Sequence, residues 1–409
     1  MERLFTGPIG ETLHTKYGVV DLFGAPGGLA LGFKLSGHFK ILACVDSDTT
    51  AAATYAKNFP RTKIITDEIQ NVDTTRLLRE AEASGDEIDI IIGGPPCPGF
   101  SVVGRVKIAS LVRSGKWNHL NNSHPRFIDD PRNVLYKHFV RIVKELKPKF
   151  FVMENVFGML SYNNGETVKQ ILEDFGRIGY RTEWRVMNAV NYGVPQERKR
   201  VFFIGNRFSL PNPFPALTHR SPAENFNGGE LNEAPTVWDA IGDLPRLRAG
   251  EKWEEEPYER KPVTDYQRWA RRHSRHVFNH AARRHSERDM KLFSRMQEGT
   301  KWEDLPPRLK EMYNYRNDIF KDKMKRLRRN RPSWTITAHL AKDGYAYVHP
   351  TQNRTITVRE AARIQSFPDT FIFWGSRTSQ FRQVGNAVPP LLARAVACEM
   401  RKALEGAPA

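Results

Sequence analysis

Cys97 is the residue around which chemistry can be built. It follows Ile88-Asp89-Ile90-Ile91-Ile92-Gly93-Gly94-Pro95-Pro96. The apolar, β-branched run reads as a strand buried on both faces, as in a parallel sheet. Two glycines and two prolines end it abruptly. Cys97 is therefore expected just past the carboxyl end of a central strand, where open α/β sheets place their ligands. The alternative is a buried, inert thiol at a tight turn. The prolines favour the reactive reading, because they stiffen the backbone around one sulfur atom. Two further segments offer partners. Lys149 to Val156 reads as a strand ending on Glu154, and a carboxylate after such an apolar run is costly unless paired or useful. It shares a rim with Cys97 if the two strands are neighbours. Asn191 to Arg200 leads into a last strand, Val201 to Gly205, and Arg198 and Arg200 alternate on one face of it. One can reach into the rim while the other buttresses it. A structural ion pair or a solvated strand edge would account for the same residues without chemistry.

The elements that position these groups read as a series of β–α units. Tyr17 to Phe23 is a strand that runs into Gly24-Ala25-Pro26-Gly27-Gly28 and then a helix. Small residues there let a backbone approach a ligand, and the helix start offers free N–H groups. A second strand, Ile41 to Val45, ends at Asp46, placed to accept from ribose hydroxyls. Asp48 is expected to cap the helix Thr49 to Asn58. A third strand, Lys63 to Thr66, ends at Asp67-Glu68-Ile69, a polar-then-apolar pair suited to the edge and face of an adenine ring. Helices are predicted over Asn133 to Leu146 and Thr167 to Ile178, and a strand around Thr182 to Val186. Ser101 to Arg132 has little apolar periodicity. It carries Arg105, Lys107, Arg113 and Lys116, which suit a loop closing on a phosphate backbone.

The chain of 409 residues has a net charge of +17 and a pI near 9.8. A balance this basic points to a polyanionic partner, most often nucleic acid. No apolar run of about 18 residues occurs, so no transmembrane helix is expected. The N-terminus lacks the apolar core of a signal peptide. The cysteines Cys44, Cys97 and Cys398 are far apart and form no CxxC. Neither a disulfide framework nor a zinc site is supported, and a reducing interior is expected. Pro211, Pro213, Pro215 and Pro222 mark a linker, after which basic charge concentrates. Arg271, Arg272, Arg275, Arg283 and Arg284 are interleaved with His273, His276, His280 and His285, and Lys321 to Arg331 is almost continuously basic. The histidines suggest a metal, but no cysteine lies nearby, and a phosphate-tracking surface is the better reading. Toward the C-terminus, Arg354 to Glu360 precedes an amphipathic helix to Gln365, broken by Phe367-Pro368-Asp369. A Gly-Asn turn within Gln383 to Pro390 opens a final helix, Leu391 to Leu404.

Taken together, these segments resemble the cytosine-C5 DNA methyltransferases of restriction–modification type. Asp21 to Gly28 looks like the family's first cofactor motif, and Pro95-Pro96-Cys97 like its nucleophile motif. Glu154-Asn155-Val156 looks like its acid motif and Gln196-Glu197-Arg198-Lys199-Arg200 like its QxRxR motif. Arg354 to Glu360 with Gln365 to Asp369, and Gln383 to Pro390, look like its two C-terminal motifs. The match covers residues 17 to 205 and about 331 to 400, in the family's order. Gly24-Ala25 departs from the usual Ala-Gly or Ser-Gly, and Asp46 and Ser47 stand where the family more often has Glu and a larger apolar residue.

The resemblance implies a Rossmann-like, doubly wound, mostly parallel α/β sheet with a smaller, irregular target-recognition domain. Domains are expected at 1–206 (catalytic), 207–350 (recognition) and 351–409, with the last helix packing back on the catalytic domain. It implies S-adenosylmethionine as cofactor, held by Phe23, Pro26, Gly27, Gly28, Asp46, Ser47, Glu68, Ile69, Pro96, Asn386 and Ala387. It implies that Cys97 adds to C6 of a flipped-out cytosine, Glu154 holds a proton at N3, Arg198 binds O2 and Arg200 supports that geometry. No metal is implied. Ser101, Arg105, Lys107 and the five arginines between 271 and 284 are the expected DNA contacts. The expected setting is a cytoplasmic, prokaryotic, nucleoid-associated monomer acting on duplex DNA, with a restriction endonuclease as its functional partner. A tRNA cytosine-5 methyltransferase, or an inactive DNA-binding homologue, are the rival readings.

Overall fold

The computed structural model describes residues 17–96, 135–221, 231–313, 324–341 and 344–408. They form two compact units, each assembled from separated stretches of chain. The sheet unit takes the described parts of 8–188, 199–216 and 393–409; the second unit takes 189–198 and 217–392. The limits of these units do not coincide with the expected boundaries at 206 and 350. Residues 189–198 join the second unit through backbone pairing: Glu197 N donates to Ser333 O and Ser333 N to Pro195 O.

The sheet unit is built on β1 (Tyr17–Leu22), β2 (Phe39–Val45), β3 (Lys63–Ile65), β4 (Ile90–Gly93), β5 (Phe150–Val156), β6 (Arg181–Asn188) and β7 (Lys199–Asn206). Their order is β3-β2-β1-β4-β5-β7-β6. Neighbours are parallel, except that β7 runs antiparallel to both β5 and β6. This is the mostly parallel, doubly wound sheet expected. Ile90, Ile91 and Ile92 are solvent-free, as a central strand covered on both faces requires. Helices α1 (Gly28–Leu35), α2 (Thr49–Asn58), α3 (Thr74–Ala81), α4 (Tyr136–Leu146) and α5 (Glu166–Arg177) accompany the strands. The buried side of α4 is Tyr136, Phe139, Ile142 and Val143, and that of α5 is Val168, Ile171 and Phe175. Phe151 of β5 stacks on Phe175 at 3.9 Å between centroids. As expected, Asp48 caps α2, accepting from Thr50 N and Ala51 N.

The second unit holds α6 (Val237–Ile241), α7 (Asp265–Arg271), α8 (Glu287–Arg295), α9 (Pro307–Lys310), α10 (Val358–Ile364) and α11 (Arg377–Asn386), with paired strands only two residues long. A last helix, α12 (Pro390–Glu405), carries the chain from the second unit into the sheet unit between Leu392 and Ala393. A Cβ on Gly32 of α1 would lie 2.3 Å from that of Ala393, so those backbones meet without room for a side chain. Two sequence expectations fail here. The helix before Gln365 is not amphipathic, because every residue of α10 is buried, Arg359, Glu360 and Arg363 included. Gly385 makes no turn; it lies inside α11, where a Cβ would meet Ala338 N at 2.2 Å. Periodicity reads polar residues as solvent-facing, and neither a buried charge nor a close helix approach alters that pattern.

No helix among the described residues is long and apolar enough to cross a membrane.

Candidate active site

The strand register decides what meets at the rim. Ile65, Val45, Leu22, Gly93 and Met153 are successive Cα partners across β3, β2, β1, β4 and β5. The residues that follow them, Thr66, Asp46, Phe23, Gly94 and Glu154, therefore form the next row, at the carboxyl edge of the sheet. At about 4.8 Å per strand, the row spans roughly 19 Å.

Over β1, β2 and β3 the rim fits an elongated nucleoside ligand. Phe23 is left-handed (φ 58°) and its N–H donates to Val45 O at 2.7 Å, which turns the chain sharply off β1. Gly27 has φ 109° and stands before α1 with no side-chain cap, so the N–H groups of that helix start face no capping side chain. Gly24 and Ala25 are explained by their neighbours. A Cβ on Gly24 would lie 2.2 Å from the Asp21 carboxyl, whereas Ala25 N donates to Asp46 Oδ2 at 3.0 Å. Asp46 also accepts from Asp48 N at 2.9 Å. Its carboxyl thus ties the glycine turn to β2, a role that sequence reasoning missed. Burial pushes its pKa up to about 6. Ser47 and Glu68 are exposed, and Ile69 is buried. Asp67 is taken up by Arg76, at 2.6 Å. Asn386 and Ala387 lie at the end of α11, in the second unit.

Over β4 and β5 the rim carries a carboxylate and a guanidinium. A Cβ on Gly94 would come within 3.2 Å of Glu154 Oε2. Asn155 Nδ2 donates to Pro95 O at 3.1 Å, fastening the Pro-Pro turn to β5. Pro96 is exposed. Cys97, Ser101, Arg105 and Lys107 lie outside the described residues. Arg200 Nε meets Glu154 Oε1 at 2.9 Å, with the two side chains only 14% and 10% exposed. Burial lowers the Arg200 pKa and the Glu154 charge opposes that shift. The neighbouring strands expected for Glu154 and the Pro-Pro-Cys turn are thus present.

The two arginines of the QxRxR segment have different surroundings. Arg198 is fully buried in the second unit. Its Nη1 donates to Ile336 O at 2.6 Å, and its Nη2 to Gly385 O at 2.8 Å and Ala387 O at 3.0 Å. It is a clamp on backbone carbonyls, not a group open to a base. Gln196 is also internal, accepting from Ile336 N and donating to Ile364 O. Arg200, expected only to support, is the arginine beside the carboxylate.

The basic segments divide between engaged and exposed side chains. Arg271 pairs with Asp243, donates to Arg260 O and lies 3.6 Å from the Tyr258 ring centroid. Arg283 donates to Leu340 O and covers the Phe381 ring. Lys325 and Arg326 are buried, and Arg326 serves the carbonyls of Phe293, His349, Pro350 and Gln352. Arg272 is half-buried, and Arg275 and Arg284 are exposed. His280 is buried between Thr357 Oγ1 and Pro245 O, and His285 sits against Thr355. Burial lowers both to about 4. No metal-binding group of His, Cys, Asp and Glu occurs among the described residues.

Comparison with known proteins accounts for this arrangement. The model of the C-5 cytosine-specific DNA methylase family matches residues 17–402. The chain belongs to that family. Type II methyltransferase M.DdeI of Desulfomicrobium norvegicum is 38% identical over 93% of this chain and 87% of its own length. M1.HphI of Haemophilus parahaemolyticus is 36% identical over 92% and 85%. A solved structure of a candidate DNA modification methyltransferase from an E. coli prophage is 26% identical, with TM-score 0.70, covering 95% of this chain and all of that one. The protein is thus a DNA cytosine-C5 methyltransferase, with the family and fold of enzymes that use S-adenosylmethionine.

Proposed function

We propose that the protein extrudes a target cytosine from duplex DNA and methylates it at C5, at a specific short sequence, within a type II restriction–modification system. The observation that carries this reading is the rim row of Asp46, Phe23, Gly94 and Glu154, with Arg200 locked on Glu154. The glycine turn, Asp46, Ser47, Glu68 and Ile69 would hold the cofactor along β1 to β3. S-adenosylmethionine, when bound, supplies the electrophilic methyl group.

Cytosine C5 is a poor nucleophile. A bond from Cys97 Sγ to C6 moves the ring electrons toward C5. Glu154 holds a proton at N3 and accepts from the exocyclic amine, so charge gathering in the ring is neutralised. Arg200 holds the Glu154 carboxylate through Nε and donates to O2 from its guanidinium. Arg198 acts indirectly, by holding the backbone at Ile336, Gly385 and Ala387. Loss of the C5 proton and departure of Cys97 restore the aromatic ring. Unstacking the base costs roughly a few kcal/mol, which the exposed basic side chains help to offset through phosphate contacts. An endonuclease of the same specificity is the functional partner implied by the type II relatives.

Transfer of tritiated methyl groups to duplex DNA and to tRNA tests the substrate. Label in DNA, lost in Cys97→Ala, is expected; label in tRNA alone overturns the reading. Bisulfite sequencing of DNA from expressing cells then identifies the cytosine.

A further inference from the structure

A pocket of about 330 Å³ in the second unit is lined by Glu197, Leu327, Arg328, Arg331, Pro332, Ser333 and Trp334. Its walls are firmly built. Glu197 N donates to Ser333 O at 2.8 Å, and Thr335 Oγ1 to Glu197 O at 2.6 Å. Val237 N donates to Arg331 O at 2.9 Å and Trp238 N to Arg329 O at 3.0 Å. The Arg329 guanidinium lies on Glu298 at 2.6 Å. Arg328 and Arg331, by contrast, are exposed and have no carboxylate partner among the described residues. Glu197 Oε1 accepts from Ser221 Oγ at 2.6 Å, which orients the carboxylate. Glu197 stands three residues before Arg200 along the chain.

We propose that this pocket reads a G·C pair of the recognition sequence through its major-groove edge. The inference rests on the DNA-methylating function above. A guanidinium donates to two acceptors, which guanine offers at O6 and N7. A carboxylate accepts from the cytosine N4 amine, a donor that only this pair places beside those acceptors. Glu197 with Arg331 or Arg328 supplies that complementary set. A backbone phosphate is the wrong ligand, because Glu197 would repel it. The reading moves a specificity determinant into the QxRxR segment itself, outside the 207–350 region that the resemblance assigned to DNA recognition. It also replaces Arg271 and Arg283, which are engaged within the unit, with arginines that are open.

The test is to methylate a duplex library randomised around the target cytosine and to read it by bisulfite sequencing, with the full-length wild type, Glu197→Gln and Arg331→Ala. The expected result is that both variants relax the requirement for G·C at the same single position by about tenfold or more, while preferences elsewhere stay unchanged. Unaltered preference at every position, with or without a uniform fall in rate, overturns the proposal. Arg331 is exposed, so its variant keeps the test open if Glu197→Gln fails to fold, which melting temperatures would show. A wild type that methylates no DNA would instead refute the functional reading itself.

Discussion

Ile90, Ile91 and Ile92 lie at the centre of one unit; Arg354, Arg359 and Arg363 lie at the centre of the other, and all six are essentially solvent-free. Ile91 belongs to an apolar cluster with Val20, Leu22, Phe139, Phe151 and Phe175 among its members. Around the arginines the neighbours are anions and carbonyls. Arg354 holds Glu360 with two bonds, of 2.9 and 2.6 Å. Arg363 holds Asp369 with two more, of 2.7 and 2.6 Å, and also reaches Asp243 at 2.9 Å. Arg359 serves the carbonyls of Phe278, Pro368 and Phe371. The sheet supplies its own backbone partners and needs only area to bury. The second unit has strands of two residues and short helices, so most of its backbone lacks ladder partners. Buried guanidiniums with five donors each fill that role. The difference is one of tolerance: an apolar core degrades gradually, whereas a buried charge network fails when one member goes.

The sharpest way to break this contrast is to remove a single guanidinium. Arg363→Ala leaves Asp243 and Asp369 buried without it, and should cost about 3–5 kcal/mol. Hydrogen exchange at the amides of α10 would read the loss. Replacing Arg363, Asp243 and Asp369 together by apolar residues of similar volume should restore most of it, since such swaps are often neutral or better. A triple variant as unstable as the single would contradict the ionic account.

In the sheet unit, Phe151→Ala should cost about 3–5 kcal/mol through lost burial and a cavity against Phe175. Denaturant melts would measure it, and Phe151→Leu should recover a large part. That graded response is what a charge network cannot show.

The two arginines of the QxRxR segment carry the contrast into function. Arg200→Lys keeps a cation beside the buried Glu154 but loses the planar fork, and should lower methyl transfer by a factor of about a hundred or more, with little change in melting temperature. Arg198→Ala should lower stability by about 2–3 kcal/mol, because three buried carbonyls lose their donors. Single-turnover assays beside thermal melts separate these outcomes; equal effects in both variants would erase the distinction.

The smallest expected effect concerns pH, and its sign differs between the units. Burial lowers His280 to about 4 and His349 to about 3. Unfolded, each titrates near ~6.5, so the unfolded state binds more protons below that value. Stability of the second unit should fall as pH drops from about 6.5 toward those values. Asp46 is raised to about 6, from roughly 3.9 when unfolded. Its contribution is present at low pH and lost as pH rises through about 6. Between pH 7 and 5, exchange corrected for intrinsic rates should show α10 losing protection while β1 and β2 hold or gain. Parallel loss in both would count against the assignment.

Much of the sheet unit was legible in advance. Apolar runs at Ile88–Ile92 and Lys149–Val156, Gly-Pro stops, and acids at strand ends each act locally, and local signals survive in a linear text. The same signals indicated Asp46, Glu154 and the Pro-Pro-Cys turn. Arg198 and Arg200 were legible as a pair but not as individuals. Alternation places them on one face of an extended segment, yet their partners, Ile336 and Gly385 for one and Glu154 for the other, come from distant parts of the chain.

What the sequence determined by itself is the order of the β–α units, the sharp turns after them and the residue types at the rim, because propensity and chain stiffness act over a few residues. Only the tertiary structure decided which charges face inward. Arg271, Arg283, Arg326 and Arg363 look as solvated as Arg275, Arg284 and Arg331 in the text. A guanidinium is buried only where distant carboxylates and carbonyls converge to meet its fixed fork of donors, and that convergence is a property of the fold.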